Sequence, residues 1–157
     1  MSEPRPLRIV SGGQTGVDRA ALDAAAACGL ETGGWCPAGR SSEDGAIPAR
    51  YPLRETPSSD PAQRTEWNVR DSDATLVLSR EAPRGGTALA ITAARRQARP
   101  LLELRLEPGG NAEALARARA WLEGARVHAL NVAGPRESEE PGVGDDARGF
   151  LRALLGA

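Results

Sequence analysis

Short apolar runs alternate with amphipathic segments from one end of the chain to the other. The runs are of strand length and end in glycine, proline or polar residues, which is typical of buried strands. The second run is interrupted by Gly33 and Gly34. The pattern predicts five strands, at residues 7–11, 30–36, 74–79, 101–106 and 127–132.

Apolar residues recur at helical spacing between and after these strands. In the C-terminal segment they form an i, i+3, i+4, i+7, i+8 stripe, which indicates a helix with one buried face. Its members are Ala147, Phe150, Leu151, Leu154 and Leu155. Asp60 and Pro61 supply a cap and a first-turn proline for another helix. We expect helices at 17–28, 61–72, 85–99 and 112–124, and one that carries the C-terminal stripe.

Strands that alternate with helices predict an α/β fold. We expect a Rossmann-like, doubly wound parallel sheet of about five or more strands, with helices on both faces and right-handed crossovers. Residues 1–6 are predicted to be a disordered N-terminal tail, and residues 7–157 a single Rossmann-like domain that binds an anion or nucleotide. Residues 37–56 are rich in proline, glycine, serine and charge, and connections of that length are typically functional or mobile.

Three of the predicted strands end in glycine-rich turns, at Ser11–Gly16, Arg84–Thr87 and Asn131–Ser138. Glycine permits positive φ and lacks Cβ, so backbone N–H groups can converge on a ligand. The helix that follows adds about half a positive charge. Any one such turn can instead be a tight connection without a ligand. Because the carboxyl ends of parallel strands meet at one edge of the sheet, three together predict a phosphate or oxyanion site.

Composition narrows the chemistry of this site. The formal net charge is −1, so no overall field attracts nucleic acid or an anionic membrane, and we expect neither as a partner. All 20 basic residues are arginine, which excludes a Schiff-base lysine and a P-loop lysine. Two cysteines and one histidine argue against a structural zinc site. We find no signal peptide or apolar run of about 18 residues, so we expect reduced thiols and a cytoplasmic location.

Residues in and beside the turns are the candidates for ligand contact. Thr15, Thr87 and Ser138 can donate hydroxyl hydrogen bonds, and Arg40 and Arg136 can add guanidinium groups, although each arginine also fits a solvated surface position. The predicted ligand-binding residues are Gly12, Gly13, Gln14, Thr15, Gly16, Arg40, Gly85, Gly86, Thr87, Asn131, Gly134, Pro135, Arg136 and Ser138.

Carboxylates near the turns have several possible roles. Asp18 lies in the first turn of a predicted helix, where we expect it to complement the helix dipole or hold a neighbouring loop rather than to act as a base. Glu43, Asp44 and Glu66 can hold Mg²⁺ beside a phosphate, but the sequence does not fix their geometry.

With these motifs the chain resembles the putative molybdenum carrier family, a branch of the lysine-decarboxylase-like, "lonely guy" superfamily. The matching runs span almost the whole chain and occur in order. They include Ser11–Asp18, Gly34–Pro37, Gly39-Arg40, Glu43–Gly45, Tyr51–Leu53, Arg64–Val69, Gly85–Thr87 and Leu130–Ser138.

The resemblance implies a Rossmann-like subunit of a homo-oligomer, a dimer or tetramer, with an anionic ligand over the strand ends. That ligand is the molybdenum cofactor (molybdopterin), whose pterin carries a phosphate, or a nucleotide. The leading hypothesis is therefore a non-catalytic carrier of a phosphorylated small molecule.

One departure from the superfamily bears on catalysis. Its phosphoribohydrolase members carry a glutamate three residues after the threonine of a glycine-rich run, and here that position is Ala90. Loss of this carboxylate keeps a phosphate cradle but removes hydrolytic chemistry. The alternative is a nucleotide-binding or nucleotide-cleaving protein in which Glu43, Asp44 or Glu66 replaces the missing glutamate.

Overall fold

A computed structural model describes residues 7–108 and 110–156 and contains strands, helices and a parallel sheet in the predicted alternation. The predicted tail at residues 1–6 lies outside the described residues. In chain order the elements are β1 (Arg8–Val10), α1 (Val17–Ala27), β2 (Glu31–Gly33), β3 (Trp35–Cys36), β4 (Ser41–Ser42), β5 (Gly45–Ala46), β6 (Arg54–Glu55), α2 (Pro61–Arg70), β7 (Ala74–Ser79), α3 (Gly85–Arg96), β8 (Leu101–Arg105), α4 (Ala112–Ala125), β9 (Ala129–Ala133) and α5 (Val143–Leu155).

Five of the strands form one parallel sheet in the order β2-β1-β9-β7-β8. The last strand of the chain, β9, lies at the centre between β1 and β7. Helix α1 packs against α5, which also contacts α4, whereas α2 packs against α3. The predicted Rossmann-like α/β fold is confirmed.

Buried side chains lie on both sides of this sheet. Leu76 and Leu78 of β7 join the larger core cluster with residues of α1, α4 and α5. A smaller cluster holds Val69 of α2 with Ala93 and Ala94 of α3. All six residues of β7 are buried, as expected for a strand covered on both faces. Helices in two layers cover the two faces of the sheet. This burial explains why its central strands are apolar runs.

The second predicted strand ends earlier than expected. A single strand over residues 30–36 is wrong: β2 stops at Gly33, and β3 pairs instead with β6 in a separate two-stranded sheet. Gly34 has φ 132° and lies so close to Ser11 that a Cβ there would overlap the Ser11 carbonyl oxygen. The Asn68 side chain then holds the redirected chain, because it accepts from Trp35 N at 2.7 Å and donates to Trp35 O at 3.0 Å.

The long connection at residues 37–56 is folded onto the domain. It contains the hairpin β4–β5 and strand β6, and the side chains of Ile47 and Tyr51 are buried. The hairpin is held against α1 by Arg19, whose Nη1 and Nη2 donate to the Asp44 carboxylate at 2.6 and 2.8 Å. This connection therefore reaches the turn that follows β1.

Candidate functional site

The turns that follow β1 and β9 meet the start of α3 around one cavity of about 250 Å³. It lies at the carboxyl edge of the sheet, where the sequence predicts a phosphate or oxyanion site. Seven residues of the predicted ligand-binding set line it. They are Gly12, Gln14, Gly86, Thr87, Asn131, Gly134 and Arg136. The central position of β9 explains this convergence, since its turn can contact elements that follow both neighbouring strands.

The remaining seven residues of that set do not line the cavity: Gly13, Thr15, Gly16, Arg40, Gly85, Pro135 and Ser138. Gly16 and Pro135 serve to join two turns. Gly16 has φ 79°, and a Cβ there would overlap the Pro135 carbonyl oxygen and lie 2.8 Å from Glu137 N. Because glycine has no side chain, the turn after β1 can pack directly on the backbone of the turn after β9. Gly13 (φ 81°) packs instead against the side chains of Leu53 and Ile47.

The Arg40 guanidinium is used to hold the long connection together. It donates to the carbonyl oxygens of Pro48 at 2.8 Å, Tyr51 at 3.1 Å, and Ile47 and Leu53 at 3.3 Å each. Arg40 itself has φ 53°, in the left-handed region. These bonds point its charge into the connection and away from the cavity.

Thr15 and Ser138, two of the predicted anion donors, are bound to a carboxylate of the chain itself. Their hydroxyl groups both donate to Glu43, and the Ser138 amide donates to Glu43 Oε1 at 3.2 Å. Hydrogen bonds from Ser138 and then Thr15 lower the pKa of Glu43 below its usual value. Gln14 Oε1 accepts from Glu43 N at 3.0 Å and so fixes the hairpin in place. The hydroxyl donors that these two turns offer to an anion are therefore occupied by the Glu43 carboxylate.

Three charged residues that line the cavity were not assigned to the site from the sequence: Arg64, Asp18 and Glu139. Arg64 of α2 is 8% exposed, and its Nη1 donates to Gly12 O at 2.7 Å. A Cβ on Gly12 would lie 2.6 Å from the Arg64 side chain, so this glycine makes room for the guanidinium. Asp18 is 9% exposed and lies with its Oδ2 4.0 Å from Arg64 Nη1. Burial raises the pKa of Asp18, although Arg64 opposes this effect.

The outer rim of the cavity carries a second charged group. Glu139 accepts from the backbone amide of Arg136 at 3.0 Å and from its Nε at 3.3 Å. Arg84 lies 3.7 Å from the same carboxylate. Arg136 and Glu139 both line the cavity, with 49% and 17% of their side chains exposed. The sequence signal for Arg64 is its place in the run Arg64–Val69 that carries the family resemblance, and the signal for Glu139 is its position three residues after Arg136.

Helix α3 begins at the cavity without a side-chain cap. Its N-cap residue, Arg84, makes no capping hydrogen bond from its side chain, and Gly85 has φ 52°. Gly86 has no heavy atom within 4 Å of the position where a Cβ would stand. Open N–H groups at a helix start are suited to binding negative charge.

The carboxylates proposed as replacements for the superfamily glutamate lie elsewhere. Glu43 is bound as described, Asp44 pairs with Arg19, and Glu66 lies 3.6 Å from Arg96. Ala90 lines the cavity. Across residues 7–108 and 110–156, no three histidine, cysteine, aspartate or glutamate side chains are grouped so that they could hold a metal ion. In the same part of the chain, no helix has the length and hydropathy needed to span a membrane.

Residues 9–155 match the sequence pattern of the circularly permutated YpsA SLOG family, abbreviated cpYpsA. The chain belongs to this family. No match was found among curated proteins. A crystal structure at 1.45 Å of a putative molybdenum carrier protein from Syntrophus aciditrophicus SB has 38% sequence identity and a TM-score of 0.92, and the match covers 99% of this chain and 98% of that one. The resemblance found from the sequence motifs is thereby confirmed.

The order of the strands brings distant parts of the chain to the cavity. Strand β9, the last strand in the sequence, lies at the centre of the sheet, between β1 and β7. The residues that line the cavity consequently come from distant parts of the chain, from Gly12 near the start to Glu139 near the end.

Proposed function

We propose that this protein is a non-catalytic carrier that binds the molybdenum cofactor, or a related phosphorylated ligand, in the cavity at the carboxyl edge of the sheet. The observation that supports the proposal best is the convergence of residues from three glycine-containing segments on one cavity. Open amides at the start of α3 and the guanidinium groups of Arg64 and Arg136 are groups that bind phosphate oxygens. The name of the Syntrophus relative, a molybdenum carrier, supports a molybdenum-related ligand.

In this proposal the ligand displaces two carboxylates of the chain itself, Glu139 and Glu43, from their hydrogen-bond donors. Arg136 exchanges Glu139 for a phosphate oxygen, since its pair with Glu139 is half-exposed and exposed ion pairs are weak. Thr15 and Ser138 join the site when Glu43 leaves them. Gly13, Gly16, Gly85 and Pro135 shape the turns, and Arg40 holds the connection that carries Glu43.

Titration calorimetry with purified protein tests this proposal. The titrants are isolated molybdenum cofactor, the same pterin without its phosphate, and adenosine and guanosine monophosphates. We expect the cofactor to bind at micromolar concentration or below, and the dephosphorylated pterin to bind at least tenfold more weakly. Affinity no tighter than millimolar for the cofactor, together with tight binding of a nucleotide, would refute the carrier function.

A second candidate, nucleotide cleavage, is favoured by one observation: the carboxylates of Asp18 and Glu139 line the cavity even though the superfamily position is Ala90. A buried carboxyl with a raised pKa is suited to donate a proton to a leaving base. Release of free base from nucleoside monophosphates, lost in Asp18→Asn or Glu139→Gln but kept in Glu66→Gln, would establish it. Without such release the protein is a binder.

We also propose that the protein is a homo-oligomer, a dimer or tetramer, as the family resemblance implies. Light scattering coupled to size-exclusion chromatography measures the mass of the particle directly. A particle of one 16.4 kDa chain would refute this assembly.

A further inference from the structure

Asp18 has fewer partners than a buried carboxylate normally has. Among residues 7–108 and 110–156 its one hydrogen bond comes from Gln14 N, at 3.2 Å to Oδ2. Arg64 Nη1 lies 4.0 Å away and donates to Gly12 O instead, and the neighbouring Ser11 hydroxyl donates to Val132 O at 2.7 Å. A carboxylate can accept about four hydrogen bonds. Asp18 lines the cavity, so its remaining acceptor capacity faces a space that a ligand can enter.

A second acceptor and a hydroxyl group share this cavity. Asn131 is 3% exposed, and its Nδ2 donates to Thr75 Oγ1 at 3.3 Å, while its Oδ1 accepts no hydrogen bond from the described residues. Thr87 is 5% exposed, and its hydroxyl makes no hydrogen bond in the described part of the chain. Arg64 and Arg136 can neutralise an anionic part of the ligand, whereas the Asp18 carboxylate and Asn131 Oδ1 are acceptors. The cavity is thus suited to a ligand that carries N–H donors as well as negative charge.

We propose that Asp18 binds the amino-substituted edge of a heterocycle in which a ring N–H stands next to an exocyclic NH₂, as in the 2-amino-4-oxo ring of a pterin or a guanine. This inference rests on the proposed function and specifies the organic part of its ligand. Two carboxylate oxygens match two parallel N–H donors, and such paired, charge-assisted hydrogen bonds are strong and selective. The volume of about 250 Å³ suits a ring system, since whole small-molecule sites measure about 300 Å³ or more.

Comparison of pterin with lumazine tests this contact, because lumazine is the same bicycle with an oxo group in place of the amino group. We expect the wild-type protein to bind pterin about 10- to 100-fold more tightly than lumazine. Lumazine lacks the amino group and would leave an oxygen of Asp18 without its hydrogen bond, and binding sites discriminate strongly against such ligands. Guanosine and inosine monophosphates, which differ in the same amino group, provide an independent pair of ligands.

Asp18→Asn should reduce the pterin-to-lumazine preference to about threefold or less, since an amide offers one acceptor and no charge. Asp44→Asn is the matched control, because Asp44 pairs with Arg19 outside the cavity and should leave the preference unchanged. Equal binding of pterin and lumazine by the wild type, binding of neither, or an unchanged preference in Asp18→Asn would overturn the inference. The wild-type comparison stands even if the variant fails to fold.

The same titrations separate this inference from the proposed function. If phosphate adds nothing to pterin affinity but the amino group does, the phosphorylated-ligand carrier function fails and the Asp18 contact stands. If phosphate strengthens binding and the amino group has no effect, the contact fails and the carrier function stands.

Discussion

The backbone amide of Ser138 donates a hydrogen bond to the carboxylate of Glu43 at 3.2 Å, across 95 residues of sequence. The hydroxyl groups of Ser138 and Thr15 donate to the same carboxylate. The donors of Thr15 and Ser138 are the groups that the sequence predicts to bind a phosphate oxygen. In the folded protein they bind a carboxylate of the chain instead. Under the proposed function, Glu43 competes with an external anion for these donors.

Glu43→Gln should strengthen the binding of inorganic pyrophosphate about 3- to 10-fold. The amide keeps the shape of the side chain but removes the negative charge and one acceptor, so Thr15 and Ser138 become available, and a hydrogen bond to a charged group is worth about 1.5–3 kcal/mol. Titration calorimetry at low ionic strength measures the change.

The control for this variant is Glu31→Gln on β2, which removes the same charge away from the hairpin. Glu31 is exposed and lies 3.7 Å from Arg8 of β1, and it does not contact Thr15 or Ser138. An equal gain of affinity in both variants would show a general charge effect, and no gain in Glu43→Gln would show that Glu43 does not compete with the anion.

The sequence indicated the donors of Thr15 and Ser138 but could not indicate their occupant. Thr15 and Ser138 lie in glycine-rich turns, and turn chemistry is local, so the pattern predicts that they can bind an anion. The place of Glu43 depends on how a 20-residue connection folds back onto the domain, and that depends on the bonds of Arg19 and Arg40. Non-local ion pairs of this kind leave no periodic signal in a sequence.

Arg136→Ala should weaken the binding of a phosphate-bearing ligand by about 1.5–3 kcal/mol, the usual contribution of a charged hydrogen bond. Arg136 lines the cavity and is half-exposed, so its removal leaves the fold intact. Arg148→Ala is the control, because Arg148 pairs with Asp145 on α5 away from the cavity. Equal binding by wild type and Arg136→Ala in calorimetry would remove Arg136 from the site.

Gly16→Ala should destabilise the protein by about 2–4 kcal/mol, since it combines a left-handed backbone with overpacking. The new Cβ would meet the backbone of Pro135 and Glu137, which cannot move without separating two turns. Urea denaturation followed by tryptophan fluorescence measures the loss. Gly149→Ala in α5, where nothing lies within 4 Å, should instead add about 0.5–1 kcal/mol. A fully stable Gly16→Ala variant would contradict the tight packing of these turns.

The sheet could be predicted more fully than the site because apolar runs carry strong, local information. β7 is buried along its whole length, and its run predicts a strand without reference to any other segment. The end of β2 at Gly33 could not be predicted, since it depends on the Asn68 side chain, which binds both polar groups of the Trp35 backbone. Arg64 was missed because its position beside Gly12 depends on how α2 packs in the folded chain.

Asp18→Asn should raise the stability of the protein at neutral pH while it weakens ligand selectivity. Burial raises the pKa of Asp18 above its ordinary value of 3.8, so the native state holds the proton more tightly than the unfolded chain. The stability due to this group is therefore fully present below about pH 4 and is lost as the pH rises through the raised pKa. Asparagine can still accept from Gln14 N and carries no charge to bury.

We expect the free energy of unfolding of Asp18→Asn to exceed that of the wild type by about 0.5–2 kcal/mol at pH 7, a gain typical of relieving strain at a functional site. The difference should shrink towards zero near pH 3, below the ordinary pKa of 3.8, where Asp18 is mostly protonated in both states. Urea denaturation at both pH values measures it. A variant less stable than wild type at pH 7 would mean that attraction to Arg64 outweighs the burial of the charge, and Asp18 would then be a partner of Arg64 in the folded protein before it is a partner of any ligand.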